Sequence, residues 1–167
     1  MPQVVALNCD GSKNGDTLQA GAGCLIRDHE GRWLKGCCRN IGNCFVLQAE
    51  LWALLDGLEL AWSAGYKDVM VQIDCLVALK LVKTTEDLTH ACQGLIRRIQ
   101  RLLDREWRVS IVHMYREGNR CADFLATHSL SLVGGHHFLT DPPGDMHSLL
   151  KDDANGVGSV RLRPKDT

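Results

Sequence analysis

Apolar positions along the chain change period several times, and each change marks an element. Val4, Val5, Ala6 and Leu7 form a short β-favouring run that leads through Asn8 and Cys9 to Asp10-Gly11-Ser12. A run closed by an acid and a glycine reads as a buried strand that delivers a carboxylate at its end and then turns. Ala20 to Arg27 reads as a second strand, its small residues allowing close backbone approach. The polar Asp28-His29-Glu30-Gly31 loop returns it as a third strand, Arg32 to Arg39. Asn40 to Asn43 is turn-like. From Leu47 to Ala64 the period becomes helical, with Leu51, Leu54, Leu55, Leu58, Ala61 and Trp62 on one stripe and Gly65 as the stop. Val69 to Ile73 is a further strand, closed by Asp74.

A meander, a helix and a strand in that order make a crossover connection, so the Val69 strand runs parallel to the first. Parallel neighbours end on the same side, which sets Asp10 beside Asp74 at the edge where open α/β sheets bind ligands. Cys75 to Val82 reads as a short helix. Thr89 to Arg105 reads as a longer one, with Cys92, Leu95, Ile96, Ile99, Leu102 and Leu103 as its apolar stripe. Arg108 to Met114 is the last strand, and a helix from Arg120 to Leu132 carries Asp123 in its first turn. The fold class is therefore α/β: a five-stranded mixed sheet, three antiparallel strands followed by parallel ones, with strand one central and helices flanking. Residues 1–132 form the domain. Residues 133–167, with Pro142-Pro143 and scattered charges, read as a partly disordered C-terminal tail.

Composition narrows this picture without redirecting it. The length of 167 residues suits one domain, and 19 basic against 20 acidic residues leave no global field for nucleic acid, so any such contact is local. Eight cysteines stand without C-x-x-C pairs or finger spacing, which favours buried thiols in a reducing, intracellular setting, nucleus or cytoplasm. No apolar run reaches membrane-spanning length, because Asp56 and Glu59 interrupt the best one.

The candidate chemistry lies in four acids at element ends: Asp10, Glu50, Asp74 and Asp123. Clustered carboxylates offer the all-oxygen surroundings that Mg²⁺ or Mn²⁺ prefers. Each acid alone also has a bland explanation, since strand ends and first helical turns favour acids. Arg97, Arg98, Arg101 and Arg105 make a basic helix face, readable either as a phosphate-binding ridge or as a solvated surface.

The motifs "NCDGS", "QAELWAL", "VQIDC" and "REGNRCADFLA", in that order, resemble the ribonuclease H fold. The likeness is to the ribonuclease H-like domains of plant non-long-terminal-repeat retroelements and their free-standing relatives, and covers residues 3 to 132. The resemblance implies a nuclease that hydrolyses the RNA strand of RNA–DNA hybrids as a monomer. It implies that Asp10, Glu50, Asp74 and Asp123 hold two Mg²⁺ (or Mn²⁺) ions, and that Gly11, Ser12 and Asn119 touch nucleic acid. Two departures stand out. Arg116-Glu117 occupy the short loop where related enzymes carry a mobile His, and Val46 and Leu47 replace polar residues that read the RNA 2′-OH. A nucleic-acid-binding module with weak or no catalysis, and a fragment of a retroelement polyprotein, are the other readings.

Overall fold

The computed structural model describes residues 3–86 and 91–154. β1 (Val5–Lys13), β2 (Gln19–Arg27) and β3 (Trp33–Asn43) form the antiparallel meander, followed by α1 (Val46–Ser63). β4 (Asp68–Ile73) returns parallel to β1, and β5 (Arg108–His113) is parallel to β4. Between them lie α2 (Leu76–Lys83) and α3 (Gln93–Leu103); the expected helix start at Thr89 falls outside the described residues. α4 (Arg120–Ser129) closes the anticipated part.

Two elements then come from the segment expected to be a tail. β6 (Gly135–Leu139) pairs antiparallel with β3, and α5 (His147–Ala154) follows. The sheet thus has six strands, ordered β5-β4-β1-β2-β3-β6, which corrects the expectation of five. The reason is non-local. β3 continues through Asn40 to Asn43, the stretch that reads as a turn, and its exposed edge from Gly36 to Asn40 supplies hydrogen-bond partners for a segment with little pattern of its own. Met146 and Leu150 are buried against Leu25, Cys121, Ala122 and Leu125, so α5 has an apolar anchor. The remainder of the expected tail, residues 155–167, lies outside the described residues.

β1 does not end at Asp10 either. It stays paired with β2 as far as Lys13, while β4 stops at Ile73. Asp10 therefore sits within a continuous strand at the point where its parallel neighbour peels away. One apolar cluster joins the sheet to α1, α2 and α3, and a second joins it to α4 and α5. Two glycines let the helices come close enough to bring their acids to β1. A Cβ on Gly11 would lie 2.4 Å from the Glu50 backbone nitrogen, and one on Gly23 would lie 2.4 Å from that of Ala126. Among the described residues no helix is long and apolar enough to cross a membrane.

Overpacking at such a backbone contact costs about 1–3 kcal/mol or more. Gly23→Ala is expected to lose at least that much in urea unfolding, whereas Gly15→Ala, whose Cβ meets nothing within 4 Å among the described residues, stays near wild type. Equal stability of the two variants would contradict the packing described.

Candidate active site

Asn8 of β1 pairs in register with Gln72 of β4, so two residues further along each chain Asp10 and Asp74 stand level. α1 seats on Gly11 and brings Glu50 to the same place. Asp10, Glu50 and Asp74 each offer an oxygen, and these ligand atoms lie within 4.8 Å of one another. Asp123, in the first turn of α4, acts on the Asp10 carboxyl but lies outside that group of three. Asp10 is 2% exposed and Glu50 8%. Glu50 sits beyond the first turn of α1, so the helix dipole does not account for it.

Such a gathering resists ionisation. Burial, then the charges of Glu50 and Asp74, push Asp10 up to about 11. Burial and Asp74 likewise push Glu50 up to about 7, against the pull of a hydrogen bond with Asp10, the Gly11 N–H and the Arg116 charge. The chemistry of the donor set fits a hard divalent cation: the group is all carboxylate oxygen, mutually repulsive and partly open through half-buried Asp74. His113 supports the cup, its Nε2 lying 3.1 Å from the Asp74 carbonyl and tying β5 to the turn after β4.

The expected nucleic-acid contacts fall in three settings. Gly11 is buried beneath α1 and gives its N–H to Glu50, while Ser12, half-buried, follows it along β1. Asn119 is 1% exposed and both ends of its amide are used internally: Nδ2 donates to the Cys9 carbonyl at 2.8 Å, and Oδ1 accepts from Asn8 at 3.1 Å. Arg97, Arg98 and Arg101 are exposed on α3, which packs on α1 and α2. Arg98 lies 5.8 Å from the Trp52 ring centroid and 3.5 Å from a Glu59 oxygen. Sequence reasoning missed the buried polar residues Asn8 and Arg27 beneath the acids. The available signal was an Asn inside an otherwise apolar strand, a position a core admits only with partners.

A sheet of this order, with carboxylates gathered where its parallel neighbours part, is that of the ribonuclease H fold. Residues 8–129 match the family described as Reverse transcriptase-like, and the chain belongs to that family. Over 159 residues, 95% of the chain, it is 40% identical to an Arabidopsis thaliana protein named "Putative ribonuclease H protein", and it spans 25% of that protein's length. Among solved structures, ribonuclease H1 of the halophilic archaeon Halobacterium salinarum shares 27% identity at a TM-score of 0.70, covering 77% of this chain and 98% of the archaeal one. The N-terminal ribonuclease H domain of a Mycobacterium tuberculosis protein has the same fold at 23% identity and a TM-score of 0.70, with coverage of 77% and 94%. LC11-RNase H1, solved in complex with an RNA/DNA hybrid, shares it at 23% and 0.68, with coverage of 76% and 96%.

The raised Asp10 value has a consequence for stability. Below its ordinary value of 3.8 the carboxyl is neutral folded and unfolded alike. As pH rises the unfolded chain ionises freely and the folded site does not, so the metal-free fold loses stability progressively above about pH 4. Asp10→Asn cannot ionise. In chelator it is expected to exceed wild type by about 1–3 kcal/mol at pH 8, the range for a buried unpaired polar group, and to match it near pH 4. Denaturant melts at the two pH values check this; a pH-independent difference would contradict it.

Proposed function

We propose that this chain is a metal-dependent endonuclease that hydrolyses the RNA strand of RNA–DNA hybrids, with Asp10, Glu50, Asp74 and Asp123 holding two Mg²⁺ or Mn²⁺ ions. The observation that carries the reading is the convergence of Asp10, Glu50 and Asp74 oxygens within 4.8 Å, with Asp123 acting on Asp10. A divalent pair held there would supply water activation at neutral pH and charge stabilisation at the leaving oxygen of an in-line displacement. Asp10, Glu50 and Asp74 would hold one ion, and Asp10 with Asp123 the other. All four acids come from one chain, so a monomer suffices. The solved relative bound to an RNA/DNA hybrid supports the substrate class by fold likeness. Ser12 follows the acids along β1, and Arg97, Arg98 and Arg101 offer exposed cations for phosphates further from the cut.

A second reading, a binding module that cleaves little, is favoured by the loop. Arg116 to Gly118 form a short 3₁₀ turn directly before α4, with Arg116 and Glu117 where related enzymes have a mobile His. General acid–base assistance is worth about 10²–10⁴-fold, so turnover below that of a His-bearing relative is expected by a factor in that range.

A labelled hybrid incubated with Mg²⁺ or Mn²⁺ tests both. Slow cleavage of the RNA strand, abolished by Asp74→Asn, is the expected result. Tight hybrid binding with no cleavage in either metal would favour the binding module, and neither binding nor cleavage would sink both.

A further inference from the structure

We infer that α5 belongs to the scaffold of the acid cluster. Arg27 donates outward to Asp153 on α5 and inward to Asn8, from which hydrogen bonds run in one direction through Asn119 to the Cys9 carbonyl, and this chain makes those four side chains positioning residues for the site proposed above. The inference rests on that reading only for its functional consequence, because the chain itself is geometric.

The links are short and buried. Arg27 Nη1 donates to Asp153 Oδ2 at 3.1 Å and Nη2 donates to Asn8 Oδ1 at 2.9 Å. Asn8 Nδ2 then donates to Asn119 Oδ1 at 3.1 Å, and Asn119 Nδ2 to the Cys9 carbonyl at 2.8 Å. Asn8 and Asn119 are each 1% exposed, and the Arg27 and Asp153 side chains 10% and 12%. The order of donors is forced. A guanidinium only donates and a backbone carbonyl only accepts, so both amides between them must point the same way. Reversing either one would set donor against donor or acceptor against acceptor.

The chain ends on both sides of the carboxylates. Cys9 immediately precedes Asp10, and the Asn119 carbonyl accepts the Asp123 N–H at 3.1 Å, so the placement of Asn119 sets the first turn of α4. Asp153 also touches α4 directly, accepting from Cys121 Sγ at 3.0 Å. Among the described residues Arg27 Nε has no partner, which leaves the two Nη groups as its anchors, with Asp153 the carboxylate paired with it there. Residues 8–129 carry the family likeness, so the chain's outer end comes from a helix beyond that span.

Three variants of the full chain separate positioning from mere stability. Asp153→Ala leaves a buried guanidinium uncompensated, so its melting temperature falls. The double variant Arg27→Met with Asp153→Leu leaves no unpaired charge and recovers the melting temperature, yet Asn8 Oδ1 still lacks its donor. Ile99→Val, in the α3 core, lowers stability without touching the chain. Two readouts are taken: Mn²⁺ titration by calorimetry, and amide exchange over residues 120–124. The expected result is Mn²⁺ binding about 10-fold weaker in both chain variants, including the thermally recovered double variant, with faster exchange in the first turn of α4. Ile99→Val should leave both readouts unchanged. Affinity and exchange that follow the melting temperature, whichever variant supplies it, would overturn the inference. If wild type binds no Mn²⁺, the nuclease reading fails, and exchange alone decides: faster exchange in the double variant upholds the chain and wild-type exchange overturns it.

Discussion

The structure is governed by one costly act, the gathering of carboxylates in a place that water barely reaches. Asp10 is buried beside Glu50, with Asp74 on the same side and Asp123 acting on it. Like charges at such separations repel strongly in a low-dielectric setting, and the site responds by holding protons. Nothing in that arrangement favours folding by itself. It persists because the frame around it is over-determined: parallel strands whose register sets Asp10 level with Asp74, helices pressed onto glycines, and apolar clusters on both faces of the sheet.

The frame also contains polar order. Asn8, Arg27 and Asn119 are buried where leucines could have packed, and each is hydrogen-bonded to a partner far away in the chain. Buried amides and guanidinium groups of this kind contribute little net stability, but tolerate few alternative arrangements. A site whose ligand atoms must converge within a few ångströms gains from that intolerance. α5, beyond the strands and helices that define the family, is drawn in by the same logic.

Much of this was legible in the order of residues. The apolar runs that lead to Asp10 and Asp74, joined through one helix, imply parallel neighbours, and the register of β1 with β4 brings the two acids level. Glu50 was legible because the helical stripe of Leu51, Leu54 and Leu58 fixes which side of α1 is buried. What stayed hidden depends on distant partners. β6 is five residues with no period of its own, and becomes a strand only against the edge of β3. β1 outlasts Asp10 because β2 pairs with it to Lys13, which no local signal after Asp10-Gly11 announces. Arg27 and Asp153 are 126 positions apart, and each alone reads as an ordinary surface charge.

The repulsion at the heart of the site also supplies its most direct test. A divalent cation that enters must displace the protons Asp10 and Glu50 retain, because carboxylates ligate it in the ionised form. Calorimetric titration of the metal-free protein with Mn²⁺ at neutral pH, in two buffers of different ionisation enthalpy, counts those protons. Saturable binding with about one proton or more released per protein, and markedly less in Asp10→Asn, is the result this account predicts. Binding that releases no proton, or that Asp10→Asn leaves unchanged, would contradict it.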